Sequence, residues 1–109
     1  MQTPPQITFR GIDSSPAIRE DVHAKLTKLE TFYDRITSCR VLIEASHRRH
    51  NKGNLYHVRI DLRVPGNELV VKRDPAQHAE HEDVFIAIRD AFNEAKRQLQ
   101  DHIQRQRGA

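Results

Sequence analysis

Four of the seven histidines in this 109-residue chain come in pairs at a spacing of three: His47 with His50, and His78 with His81, the latter beside Glu80 and Glu82. Imidazole and carboxylate donors invite a metal reading. A zinc site, however, needs spacings that fold its donors onto one centre, and the chain has neither a cysteine pair nor the helical signature H-E-x-x-H. Both pairs fall in polar loops and read as solvated side chains, so no metal is expected. The single cysteine, Cys39, closes no internal disulfide. At the start of a strand-like stretch it reads as a reduced, half-buried core residue rather than a nucleophile. The G-x-S-x-G turn, the phosphate loop and the dinucleotide-binding glycines are all missing. Carboxylates are dispersed on helix faces or placed to pair with bases, as Asp101 is with Arg105. No nucleophile, base and orienter converge, so no enzyme, cofactor or small-molecule substrate is expected.

What remains is charge. Lys and Arg number 18 against 15 Asp and Glu, a formal net charge of +3, and the isoelectric point is near 9.4. Such a balance has consequences only where the cations gather on one surface. Projected at about 100° per residue, the last helix-patterned segment places Arg89, Lys96 and Arg107 in a band beside its apolar stripe and Arg97 further round. Asp90, Glu94 and Asp101 fall on the far side. Lys25 and Lys28 lie together on one flank of the first helical segment. If the two helices pack side by side, these flanks meet as one cationic groove. Arg40, Arg59 and Arg63 add charge on a sheet face, and Arg48, Arg49 and Lys52 add more in a loop.

The elements that must position these groups follow from periodicity. Tyr56, Val58, Ile60, Leu62 and Val64 alternate with His57, Arg59, Asp61 and Arg63, the pattern of a strand buried on one side. Residues 6–11 read as a first strand with Ile7 and Phe9 inward, and Arg40 to Ser46 as a second with Val41, Ile43 and Ala45 on one face. Pro65-Gly66-Asn67 is a turn that returns Glu68 to Arg73 as a fourth strand. Ser15 before Pro16 marks a helix start, and Ile18, Val22, Leu26, Leu29 and Tyr33 form its stripe, with a stop near Tyr33-Asp34. A second helix is predicted from about Asp83 to Gln106, its stripe Val84, Ile88, Ala91, Ala95 and Leu99, with Phe92 and Ile103 at the edge and Gly108 ending it. Residues 47–54 and 74–82 are predicted loops. The order β-α-β-β-β-α calls for an α+β two-layer sandwich: a four-stranded, mainly antiparallel sheet with both helices on one face.

At this length one domain is expected over residues 1–109, its ordered core about 6–106. With 37% hydrophobic and 30% charged residues and no apolar run of membrane-spanning length, a soluble protein is expected. The start, Met1-Gln-Thr-Pro-Pro, shows no charged segment followed by an apolar one, so no secretory signal is read and a cytoplasmic location is expected. A single-strand reader of the RNA-recognition-motif type needs aromatic residues on its open sheet face. Here that face offers His57, Arg59, Asp61 and Arg63, which suit a domain that holds RNA backbone and folded shape through Lys and Arg.

The stretch Ala24-Lys25-Leu26-Thr27-Lys28-Leu29-Glu30-Thr31-Phe32-Tyr33-Asp34-Arg35-Ile36, with Ala87-Ile88 and Arg97-Gln98-Leu99, resembles the ribosome hibernation factors. These are the hibernation-promoting factor and ribosome-associated inhibitor A family, also labelled sigma-54 modulation proteins. The resemblance spans nearly the whole chain and implies a fold similar to a double-stranded-RNA-binding domain. It also implies a function: binding to the small ribosomal subunit between head and body, over the tRNA and mRNA sites, to silence idle ribosomes in stationary phase or stress. By the same resemblance Lys25, Lys28 and Arg97 match the family's RNA-contacting positions. Asn93-Glu94 stands where relatives commonly show Asp-Lys, while Arg89 and Lys96 add charge nearby. The chain resembles the short form, without the dimerising domain of long members, and a free monomer is expected. The competing expectation is a protein-interaction module for an acidic partner such as a transcription factor.

Overall fold

Ser15 starts the first helix as its type and position require. It is extended (φ −127°, ψ 123°) and its hydroxyl accepts from the Ile18 N–H, with Pro16 in the first turn. In the computed structural model, which describes residue 1 and residues 3–47, 54–73 and 83–108, the elements are β1 (Gln6–Arg10), α1 (Pro16–Phe32), β2 (Ser38–His47), β3 (Asn54–Val64), β4 (Asn67–Arg73) and α2 (Val84–Gly108). The predicted order is present. Tyr33 closes α1, its N–H donating to the Leu29 carbonyl. At the start of α2, Asp83 Oδ1 accepts from the Phe85 N–H and the Asp83 carbonyl from the Ala87 N–H, the geometry of an N-cap.

The sheet order is β1-β2-β3-β4, with β1 parallel to β2 and the other two pairings antiparallel. Register puts the apolar residues opposite one another on the inner face: Val41 faces Ile60, which faces Val71, and Cys39 faces Leu62, which faces Leu69. All six are buried. Against this wall pack Ile18, Val22, Leu26 and Leu29 of α1, and Ala87, Ile88, Ala91, Phe92, Ala95 and Leu99 of α2. Each fully buried aliphatic side chain contributes about 1.5–3 kcal/mol of transfer free energy.

Several expectations need correction. The hairpin of β2 and β3 extends to the pair His47 and Asn54, so both strands outrun the predicted ends; backbone pairing continues where the side chains carry no alternation. α2 ends at Gly108 as expected, two residues beyond the predicted Gln106. Phe92 is buried in the core, not at its edge, because α2 meets both β3 and β4. Cys39 is fully rather than half buried, at 2% exposure. Burial, and then the charges of Asp61 and Glu30, push its thiol up to about 12, which leaves it almost wholly protonated at neutral pH and a poor nucleophile. The predicted loops, with His50, His78, His81, Glu80, Glu82, Arg48, Arg49 and Lys52, lie outside the described residues. Among those described, no helix is long and apolar enough to cross a membrane, and no three His, Cys, Asp or Glu gather as a metal site would require.

Two glycines hold left-handed backbone, Gly11 at φ 73° and Gly66 at φ 79°, where a side chain is strained. They differ in surroundings. A Cβ at Gly11 would be driven into the Ala45 carbonyl oxygen of β2, whereas one at Gly66 meets open space. Gly66→Ala should therefore cost about 1–2 kcal/mol, the backbone strain alone, and Gly11→Ala clearly more. Chemical denaturation of the two variants checks the order.

Candidate nucleic-acid interface

The two helices lie side by side on the sheet, and the seam between them is a groove of about 350 Å³ lined by Lys25, Lys28, Leu29, Arg89, Phe92, Asn93 and Lys96. Spacing explains the composition. In α1, Lys25 and Lys28 flank the buried positions Leu26 and Leu29; in α2, Arg89 and Lys96 flank Ile88 and Phe92. Packing the apolar stripes on one sheet turns both flanks toward each other. Arg89 and Lys96 stand two turns apart, about 10 Å along the axis. Leu29 and Phe92 are largely buried, so the groove has an apolar floor and a cationic rim. Among the described residues, no carboxylate lines it.

Nearby groups hold the cations in different ways. Lys25 Nζ donates to Asp21 Oδ1 at 2.7 Å, one turn earlier on α1; the other oxygen, Asp21 Oδ2, is buried without a partner. Arg89 contacts Asp90 at 3.1 Å. Lys96 Nζ stands 5.0 Å over the centre of the Phe32 ring, a cation–π contact worth about 0.5–1 kcal/mol at an exposed site. Lys28 has no ion-pair partner among the described residues. These tethers are exposed or partly exposed and weak enough to be exchanged for a polyanion.

Four of the five predicted RNA-binding residues thus share one groove. Arg97 does not. It lines a separate recess on the other flank of α2, with Asn67, Leu69, Gln98, Asp101, His102 and Arg105. Its guanidinium bonds to Glu94 and reaches Asp101 at 3.3 Å. The Glu94 hydrogen bond, followed by that residue's charge, raises its pKa further, so Arg97 stays cationic at any working pH. Asp101 therefore pairs with Arg97 rather than with Arg105, because the i, i+4 position on its N-terminal side presents the nearer guanidinium. Arg40 and Arg59 border a shallow recess on the opposite, open face of the sheet, where Arg59 is tied to Asp61 at 3.1 Å. That face is a different surface from the groove.

The sequence profile described as Sigma 54 modulation protein / S30EA ribosomal protein matches residues 6–107. This chain belongs to that family. Among curated members, the ribosome hibernation promoting factor of Azotobacter vinelandii is 33% identical over 109 residues, covering 94% of this chain and 91% of the relative. Those of Acinetobacter guillouiae and Escherichia coli K12 are 31% and 30% identical over 89% and 88% of the chain. Among solved structures, a ribosomal subunit interface protein from Coxiella burnetii superposes with a TM-score of 0.73 at 21% identity, over 92% of this chain and 97% of that one. The N-terminal domain of Thermus thermophilus Protein Y does so with 0.69 at 20% identity, over 94% and 99%. The structural likenesses establish that the S30EA fold is shared.

Within this S30EA domain the Asn93-Glu94 pair has a plain spatial meaning. Asn93 faces the groove, and Glu94 turns away to Arg97. The position on the groove is thereby uncharged. Sequence reading missed His102, which is 5% exposed, sits edge-to-face with Tyr33 at 6.1 Å and has a buried Nε2 without a partner. It lies three residues after Leu99 and continues the stripe; its polar type concealed it. Asp21 was also missed, and it is the groove's nearest brake on charge. Asp21→Asn removes the anion that neutralises Lys25 while keeping the side chain's shape. It should tighten retention on heparin, shifting elution to higher salt, and leave the fold unchanged by circular dichroism.

Proposed function

We propose that this protein is a ribosome hibernation factor that binds the small ribosomal subunit through the groove between α1 and α2 and blocks the tRNA and mRNA channel. One observation carries the reading: in a member of a family whose curated relatives are named ribosome hibernation promoting factors, the two helix flanks meet as a groove whose charged lining, among the described residues, is Lys25, Lys28, Arg89 and Lys96. Cations in that arrangement take phosphate oxygens and set orientation, and they need no sequence-specific base contact to do so. The body is elongated, 51 × 27 × 18 Å, and large enough to exclude tRNA and message by its bulk.

The mechanism is occupancy. The groove residues Lys25, Lys28, Arg89 and Lys96 release counterions from ribosomal RNA as they bind, and Arg97 makes a separate contact outside the groove. Occlusion acts in proportion to ribosomes occupied, is reversible, and leaves the RNA uncut and unmodified. No catalytic step and no cofactor enter. The protein acts in the cytoplasm as a free monomer until it meets the subunit, whereas a module for an acidic protein partner would have no reason to follow ribosomes.

Sedimentation of a resting-cell lysate separates these readings: the protein should travel with small subunits and be displaced by messenger with initiator tRNA and initiation factors. The four groove contacts by themselves give a salt dependence of about three log units in affinity per tenfold rise in salt. Lys25→Glu with Lys28→Glu should weaken association at least about 100-fold at moderate salt, with the thermal transition kept, since both side chains lie off the buried stripe. Asp90→Ala with Glu94→Ala should cause no such loss, since it frees Arg89 and Arg97 rather than removing a cation. A binding constant flat with salt, equal loss from both pairs, or inhibition by sub-stoichiometric protein would overturn the proposal.

A further inference from the structure

We propose that Phe32 is a stacking platform for one unpaired RNA base at the end of the groove. This rests on the small subunit being the groove's ligand, and it adds a contact that lysine and arginine alone do not supply. Three large apolar side chains are exposed among the described residues: Phe32 at 38%, Val70 at 38% and Phe85 at 43%. Of these, Phe32 is the one over which a groove cation stands, Lys96 at 5.0 Å.

The ring is not needed by the core. The buried positions of α1 are Ile18, Val22, Leu26 and Leu29, and the next residue, Tyr33, packs against that cluster instead. At about 100° per residue, Phe32 points within about 20° of Lys25 and 40° of Lys28. It therefore extends their cationic flank with an aromatic surface. An exposed aromatic beside cations is the pairing that single-stranded nucleic acid uses, a base on the ring and its phosphates on the cations. Every base has a π-face, so such a platform tolerates sequence. Asn93, the uncharged polar group of the lining, offers a donor and an acceptor for a base edge. Lys96 is held over the ring only by an exposed cation–π contact. A base can take its place while the ammonium moves to the adjoining phosphate.

The occupant is RNA with an unpaired nucleotide rather than an acidic peptide, because the groove presents cations on both walls and an aromatic at one end. Peptide carboxylates would satisfy the cations and leave the ring bare. Purified small ribosomal subunits test this directly with the wild-type protein and the variants Phe32→Ala, Phe32→Leu and Phe32→Tyr. Affinity should fall about tenfold in the Ala and Leu variants, the scale of one lost base stack, with the salt slope unchanged, and the Tyr variant should bind as wild type. Ultraviolet irradiation of the wild-type complex, which joins stacked aromatic side chains to bases, should leave a nucleotide attached at position 32.

A Leu variant that binds as well as wild type would reduce Phe32 to an apolar contact and overturn the platform. So would a changed salt slope in the Ala variant, or irradiation that attaches nothing at position 32 of a saturated complex. Wild-type protein that fails to bind small subunits at all overturns the underlying reading instead. Because Phe32 lies outside the core, thermal melts of all three variants should match wild type; a lowered melt would show that the ring supports the fold and would likewise overturn the platform.

Discussion

Ala87, Ala91 and Ala95 recur every four residues on α2, and each has no exposed surface. Small side chains on that line let the helix backbone settle onto β3 and β4, and the seam with α1 depends on this seating. Larger side chains would have to be accommodated by lifting the helix from a close-packed wall. The same seating rotates Arg89 and Lys96 to one side of α2 and buries Phe92 beneath them. The cationic seam is therefore a by-product of how the core is packed: two apolar stripes on one sheet leave two cationic flanks with nowhere to go but toward each other.

Gathering four cations along one seam costs electrostatic energy in the free protein, although water and salt screen most of it. The chain relieves that cost locally. Asp21 holds Lys25, Asp90 holds Arg89, and the Phe32 ring holds Lys96. Each tether lies at the rim, none lines the groove itself, and each can be released. A polyanion entering the seam would replace weak partners with phosphate. Beyond the seam, Glu94 and Asp101 neutralise Arg97. The distribution of acids, more than the net charge of +3, gives the surface its direction.

Much of this was legible in the sequence because the patterns were long. The alternation of β3, the four-and-three spacing of α1 and the Ser15-Pro16 start rest on several residues each, and both elements are present, with β3 reaching two residues further back than the alternation showed. The groove was legible too, because angular position on a regular helix follows from arithmetic. What escaped depended on tertiary packing. Phe92 sat at the edge of the α2 stripe by projection, yet it is buried because the helix meets two strands. His102 is buried although its type suggested water. Asp101 has a guanidinium at i−4 and another at i+4, and only side-chain placement selects Arg97 over Arg105. Arg97, assigned to RNA together with Lys25 and Lys28 by resemblance, stands on the other flank of its helix, which motif matching along the chain does not reveal.

The groove, and not the open sheet face, is the surface proposed to meet the small subunit. Cys39 is buried with its thiol held protonated, so a cysteine placed on the surface can be labelled selectively. A photo-cross-linker carried by Asn93→Cys, in the groove lining, and another by Val70→Cys, exposed on the outer face of β4, report on the two surfaces in otherwise identical proteins. Bound to small subunits, the probe at position 93 should attach to ribosomal RNA with high yield and the probe at position 70 with little. Attachment mainly from position 70, with position 93 left free, would contradict the groove as the binding surface.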